Sequence, residues 1–141
     1  MATTTATITL SSTDLTDNAL SISNTCTLTT AGTDTGITET TGLARVKTNS
    51  GNNTLLLDFG LTGGVAQDVT ADKSAKVYIK NVNDRGDGTK FVNILIKTRE
   101  IGRLYGGDWM FIPYSGGSGE DIEYTASDTT ETTLEYCVFY E

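Results

Sequence analysis

Apolar and polar residues alternate along most of this chain with a period of two, the pattern of a half-buried β-strand. The alternation is faint in the first 50 residues, where the pairs Ile8/Leu10 and Leu20/Ile22 carry it. It is sharper from residue 75 onward. Nothing longer than a turn has helical periodicity, so the pattern predicts a series of short strands.

The later strand signals are separated by turn residues rich in Gly, Asn and Asp. The segments are LLLDFG, AKVYIKNV, TKFVNILIK, EIGRL, GDWMFIPY, EDIEYTAS and TTLEYCVFYE. In the first of them, alternation predicts that Leu55, Leu57 and Phe59 share one side. The turn NDRGDG favours a hairpin between AKVYIKNV and TKFVNILIK. The series as a whole predicts an all-β fold, an antiparallel β-sandwich of jelly-roll type.

The first part of the chain differs in composition from the remainder. Sixteen of its first 41 residues are Thr, and such a segment buries too little apolar area to fold by itself. We therefore expect residues 1–50 to form an extended Thr-rich arm or short strands that dock on a partner. Residues 51–141 are expected to form the sandwich domain.

The charge distribution narrows the range of partners. The chain has a net charge of −8 and no basic run, which argues against nucleic acid because phosphate binding depends on Lys and Arg. No apolar run is long enough to span a bilayer, and the start has no signal-peptide pattern. We expect synthesis in the cytoplasm and no membrane partner.

The residues for catalysis or metal binding are sparse. The chain contains no His, which removes the commonest general base and a common zinc ligand. The carboxylate groups Glu120/Asp121/Glu123 and Asp84/Asp87 fall in predicted turns or strand edges. We therefore expect no enzyme activity, no metal and no cofactor. The triplet Arg85-Gly86-Asp87 matches an adhesion motif, but a hairpin loop would use the same residues.

The two cysteines, Cys26 and Cys137, lie far apart in sequence and at no metal-ligand or redox spacing. A single buried disulfide is one interpretation. Two buried thiols are the default for a reducing compartment.

The segment YGGDWMFIPYSGG is the most apolar of the chain and holds its single Trp and single Pro. Alternation places Trp109 and Phe111 on one face and Met110, Ile112 and Tyr114 on the other. A strand with two apolar faces lies inside a sandwich or under a partner. The predicted interface residues are Ile8, Leu10, Leu20, Ile22, Tyr105, Trp109, Met110 and Tyr114.

The succession VYIKN, a turn, FVNILI, IGRLYGGDWMFIPY, a glycine loop, DIEYTAS and TTLEYCVFYE resembles small β-sandwich virion proteins of tailed bacteriophages, especially cyanophage-like ones. The resemblance covers about residues 75–141. It implies a structural component of the virion, foremost a capsid decoration or cement protein. The implied partners are the major capsid protein or other virion proteins, and the implied assembly is a homo-oligomer, with a trimer favoured.

Two alternatives stay open at this point. A tail, neck or fibre-associated attachment protein would also belong to the virion. A carbohydrate-binding β-sandwich module would use Tyr105, Trp109 and Tyr114 as an exposed platform.

Overall fold

The computed structural model describes residues 3–13, 19–29, 39–40, 42–48, 51–57, 75–86, 90–114, 120–127 and 131–140. Within these ranges the protein is all-β and antiparallel, without a helix, which confirms the predicted fold class. The strands are β1 (Thr3–Ser12), β2 (Leu20–Thr29), β3 (Glu39–Thr40), β4 (Ala44–Thr48), β5 (Thr54–Leu57), β6 (Ala75–Asn81), β7 (Phe91–Ile96), β8 (Arg99–Tyr105), β9 (Trp109–Tyr114), β10 (Ile122–Ala126) and β11 (Thr132–Tyr140).

The chain divides into two compact units, Met1–Thr38 and Glu39–Glu141. In the first unit, β1 and β2 pair over their full length from Thr3 opposite Thr29 to Ser12 opposite Leu20. We call this two-stranded element the ribbon. The division falls after residue 38, whereas the sequence prediction placed it after residue 50. The difference arises because β3 and β4 both pair with β11 of the second unit.

The second unit contains two sheets that share one core. One sheet has the order β5-β10-β7-β8. In the other sheet, β11 pairs with β6 on one side and with the short strands β3 and β4 on the other. Strand β9 pairs with the other side of β6. From β4 to β11, each strand lies in a different sheet from the strand before it in the chain, except that β7 and β8 lie in the same sheet.

Alternating side chains from both sheets build the core, because successive residues of a strand point to opposite faces. The fully buried members include Val77, Ile79, Val92, Ile94, Ile122, Leu134 and Val138. Their periodicity is the one that the sequence displays in β6, β7, β10 and β11. The facing apolar sides of the two sheets therefore supply the main stabilisation of this unit.

The predicted alternation fails at β5. Leu56 and Leu57 are both fully buried, whereas Leu55 is half-buried. The register shifts here, since Ile122 lies opposite Leu57 and the next residue, Glu123, lies opposite Leu55. A β-bulge of this kind adds one residue to a strand and lets two successive side chains point inward. The predicted partner Phe59 lies outside the described residues.

The predicted hairpin between β6 and β7 is wrong. Strand β6 pairs with β11 and β9, and β7 pairs with β10 and β8 in the other sheet. The loop after β6 therefore crosses between sheets. Turn residues mark where a strand ends, but they do not state which strand is its neighbour.

A hairpin joins β7 to β8 instead, through the two-residue turn Lys97-Thr98. Both residues have positive φ, 48° and 66°, the conformation of a type I′ turn, for which Asn-Gly is the favoured pair. Thr98 is β-branched and is strained in this region.

Replacing the turn by Lys97→Asn/Thr98→Gly is expected to raise the free energy of unfolding by about 1 kcal/mol, because Gly adopts positive φ without strain. Urea denaturation measures the gain. Thr98→Ala is the matched control, since it shortens the side chain but keeps the strain. An equal gain in Thr98→Ala would contradict the explanation.

Candidate functional site

The ribbon presents one apolar face. In its antiparallel register Leu10 lies opposite Ile22, and Ile8 and Leu20 occupy the neighbouring positions of the same face. All four side chains are exposed, Leu10 to 52%. We call Ile8, Leu10, Leu20 and Ile22 the apolar stripe. The structure thus brings together the four interface residues that the sequence predicted in the arm.

The opposite face of the ribbon carries hydroxyl groups. It is formed by Thr and Ser residues at alternate positions of both strands, and the Thr7 and Thr25 hydroxyls lie 3.0 Å apart. No charged residue occurs in 3–13 or 19–29. The ribbon is therefore an uncharged element with one polar and one apolar face.

Both cysteines are free thiols, so the disulfide interpretation is not realised. Cys137 is buried, as the default interpretation expected. Cys26 is exposed, which contradicts that expectation; it lies on β2 of the ribbon, opposite Ala6.

Strand β9 separates its apolar residues as the sequence predicted. Met110, Ile112 and Tyr114 are half-buried and pack against the core of their own unit. Trp109 points to the outer side of the sheet and is 49% exposed. Of the predicted interface residues on this strand, Trp109 therefore has the accessible side chain, whereas Met110 and Tyr114 contribute to the domain interior.

Tyr105 lies at the end of β8, in the other sheet. Its ring packs edge-on against Phe91 at 5.6 Å, and the Arg103 guanidinium lies 4.0 Å from the centre of the Phe91 ring. Tyr105, Trp109 and Tyr114 therefore occupy three different surfaces. They do not form the shared platform that the carbohydrate-binding alternative assumed.

A different constellation lies on the outer side of the sheet that contains β11. Arg45, Glu135, Lys80 and Trp109 lie side by side on β4, β11, β6 and β9, in one row across the sheet. A second row places Tyr78 between Phe111 and Cys137, and a third places Lys76 between Pro113 and Phe139. We call the residues of these three rows the basic-aromatic face. Sequence reasoning missed it, because the longest row exists only through the pairing of four strands.

Glu135 is the central acceptor of this face. Its Oε2 accepts hydrogen bonds from Arg45 Nε at 2.9 Å and from a terminal Arg45 nitrogen at 2.8 Å. Burial and the nearby Glu135 carboxylate, which also hydrogen-bonds the Tyr78 side chain, raise the pKa of Tyr78. Glu135 is thereby compensated by its own neighbours and holds both side chains in place.

Two other described carboxylates have structural partners. Glu123 accepts a hydrogen bond from the Thr98 backbone N–H, and Asp108 pairs with Arg85 at 3.0 Å. Among the described residues no group of three or more acidic, Cys or His side chains could hold a metal ion. Asp87 of the Arg-Gly-Asp triplet lies outside them. In the part of the chain that the structure describes, no helix is long and apolar enough to cross a membrane.

Tyr114 ends β9, and its hydroxyl donates a hydrogen bond to the backbone carbonyl of Glu120. Burial, and then the carboxylates of Glu120 and Asp121, raise the pKa of Tyr114 from 10.0 to about 12. The folded chain therefore keeps this proton to a higher pH than the unfolded chain does.

We expect the free energy of unfolding to fall as the pH rises from 10.0 to about 12, the window between the unfolded and folded pKa values of Tyr114. Below this window both states hold the proton, and the contribution is constant. The variant Tyr114→Phe should show a shallower fall in urea denaturation at stepped pH. An unchanged pH dependence in this variant would contradict the assignment.

No family model and no curated protein matches this chain. Among solved structures, the chain is similar to a de novo designed double-stranded β-helix determined by solution NMR. The identity is 12% and the TM-score 0.35, and the match covers 70% of this chain and 97% of the design. A likeness of this size carries no argument about function.

Proposed function

We propose that this protein is a non-enzymatic structural component of a tailed-phage virion, a capsid decoration protein that uses its ribbon to dock on a partner subunit. The observation that carries the docking role is the exposed apolar stripe. A two-stranded hairpin is at best marginally stable in water, so a partner that covers the stripe would stabilise it. The virion context comes from the sequence resemblance.

The partner surface is expected to be apolar and uncharged where it meets the ribbon. The described strands of the ribbon carry no charge, whereas the chain as a whole has a net charge of −8. Contact through the ribbon therefore brings few like charges together. The major capsid protein or another virion protein is the proposed partner. Assembly as a trimer would strengthen the attachment, because each further contact forms at a high effective concentration.

Mass spectrometry and image reconstruction of purified particles test this function directly. Decoration predicts hundreds of copies on the shell. A few copies located at the tail or neck would favour the alternative of an attachment protein there. Absence of the protein from purified particles would refute both.

The docking role is tested by the double variant Leu10→Ser/Ile22→Ser, which removes the central cross-strand pair of the apolar stripe. We expect binding to particles to be lost while the thermal unfolding of the sandwich unit stays unchanged. The matched control is Thr9→Ala/Ser23→Ala, a cross-strand pair on the hydroxyl face of the ribbon. Equal loss in both double variants would contradict docking through the stripe.

A further inference from the structure

We propose that the basic-aromatic face is a second binding site, which takes an anionic oligosaccharide bearing carboxylate groups. This site lies on the sandwich unit and does not use the ribbon. It therefore goes beyond the proposed docking function, and either can fail without the other.

The longest row of this face is a line of side chains that runs across the sheet. It is formed by Trp109, Lys80, Glu135 and Arg45. These residues lie on four adjacent strands, and register places each directly opposite the next. Adjacent strands are about 4.8 Å apart, so the row extends over about 14 Å. It presents, in order, a flat ring, a donor, an acceptor and a second donor. An extended chain of sugar rings can lie along it.

The face also carries a local positive charge. Lys76 and Lys80 are half-buried, and neither forms an ion pair within the described part of the chain. The one acidic side chain of the face, Glu135, is 12% exposed and is compensated by Arg45. The face is therefore locally positive in a chain with a net charge of −8. At physiological ionic strength charges beyond about 8 Å are largely screened, so the local lysines dominate what a ligand on this face experiences.

The aromatic surface of the face suits a sugar ring. Trp109 is 49% exposed at the end of the row, and the half-buried Phe111 and Tyr78 lie in the next row. The apolar face of a sugar ring stacks on an indole, and its hydroxyl groups then point sideways. On this surface they would meet Lys80 and the Glu135–Arg45 pair. The combination of one stacking ring with in-plane charged groups matches a saccharide.

Other anionic occupants fit less well. A protein partner would favour an apolar centre depleted of Lys, but Lys76 and Lys80 lie among the aromatic side chains of this face. A single-stranded nucleic acid needs a longer basic track along its phosphates than two lysines provide. A densely sulfated glycan carries two or more negative charges per sugar ring, so most of these charges would lack a partner on a face with two lysines. A uronic acid chain carries one negative charge per sugar ring, and therefore leaves fewer charges without a partner on this face than a sulfated chain does.

Because the chain contains a single Trp, its fluorescence reports on the proposed site directly. Titration of the intact protein with a galacturonic acid hexamer at physiological ionic strength is expected to change the Trp109 emission saturably. Lys80→Gln should weaken binding about tenfold, as expected for the loss of a charge-assisted hydrogen bond. Lys97→Gln, in the β7–β8 turn, removes the same charge from the other sheet and should leave the affinity unchanged.

Comparison ligands make the outcome decisive. A neutral maltohexaose should not bind, and hexaglutamate, a deoxythymidine decamer and a heparin hexasaccharide should bind more weakly than the uronic acid hexamer. Calorimetry with Trp109→Ala should show loss of binding in a variant whose thermal unfolding is unchanged. The proposal is overturned by an absence of saturable binding, by equal binding of maltohexaose, by a stronger response to any of the other three ligands, or by equal weakening in Lys97→Gln.

Discussion

Gly106→Ala is expected to destabilise the sandwich unit by about 3 kcal/mol or more, because the added methyl group has no space. A Cβ atom at Gly106 would lie 2.4 Å from the carbonyl oxygen of Asp84 and 2.8 Å from that of Asn83. Both are backbone atoms, so no side chain can rotate away to relieve the clash. The loop after β6 would have to move as a whole.

That loop is held from several directions, so its displacement is costly. The Val82 backbone N–H donates to the carbonyl of Thr133 at 3.1 Å, and Arg85 pairs with Asp108 at 3.0 Å. A shift large enough to admit a methyl group would break the first contact or the second. Urea denaturation of the variant gives the free energy of unfolding that tests this prediction.

Gly102 supplies the matched control on β8, the strand that leads into Gly106. A Cβ atom there would meet nothing within 4 Å. We expect Gly102→Ala to leave stability unchanged or to raise it by up to about 1 kcal/mol, because Ala has less backbone entropy to lose than Gly. Equal losses of stability in the two variants would contradict this explanation. They would show that the loss does not come from the close approach of the loop backbone to Gly106.

The fold class could be predicted because it depends on a local property. In β10, Ile122 and Tyr124 alternate with polar residues, and the structure buries both. In β11 the alternate residues Leu134, Tyr136, Val138 and Tyr140 are buried as well. Where no bulge interrupts a strand, as one does at β5, a period of two fixes which residues face the core, whichever strand becomes the neighbour.

The pairing of strands could not be predicted in the same way. Turn chemistry predicts that NDRGDG closes a hairpin, but this segment carries the chain from one sheet to the other, whereas Lys97-Thr98 closes a hairpin without the usual turn residues. Tertiary packing overrides turn propensity at both places. The basic-aromatic face was missed for the same reason, because Lys80 and Trp109 meet only through register.

The candidate site could be predicted where it depends only on the alternation of side chains along one strand. Alternation places Ile8 with Leu10 and Leu20 with Ile22, and the register, with Leu10 opposite Ile22, brings the two pairs to one face of the ribbon. The same rule puts Trp109 and Tyr114 on opposite faces, since they are an odd number of positions apart on one strand, and this spacing by itself argues against a shared platform. The location of Tyr105 in the other sheet depends on strand pairing, which the alternation of side chains does not determine.

Asn81→Leu is expected to destabilise the protein by about 2–5 kcal/mol, because it leaves buried backbone groups without their hydrogen-bond partner. Asn81 is fully buried at the end of β6. Its Nδ2 donates to the carbonyl of Leu104 at 3.1 Å, and its Oδ1 accepts from the Asn83 backbone N–H at 3.1 Å. One side chain thus joins the loop after β6 to strand β8 of the other sheet. Leu fills the volume but supplies neither bond.

Asn83→Ala is the control for this variant. Asn83 Nδ2 also donates to Asn81 Oδ1, at 2.9 Å. When the Asn83 side chain is removed, the backbone N–H of residue 83 still donates to that oxygen. The expected loss is about 1 kcal/mol. A loss in Asn81→Leu no larger than that in Asn83→Ala would mean that the buried amide does not join the two elements energetically.

The isosteric variant Asn81→Asp separates hydrogen bonding from packing. At neutral pH it places a buried carboxylate against the Leu104 carbonyl, and we expect a loss of about 3–5 kcal/mol. Burial raises the pKa of this carboxyl in the folded state above the unfolded value of about 3.9. As the pH falls through the raised pKa toward the unfolded value, the folded state takes up a proton first, and stability relative to the unmodified protein is regained. The protonated carboxyl can then donate to Leu104, as the amide does.

Asn81→Leu should show no such recovery, because it has no proton to gain. Recovery in both variants would place the effect elsewhere in the chain.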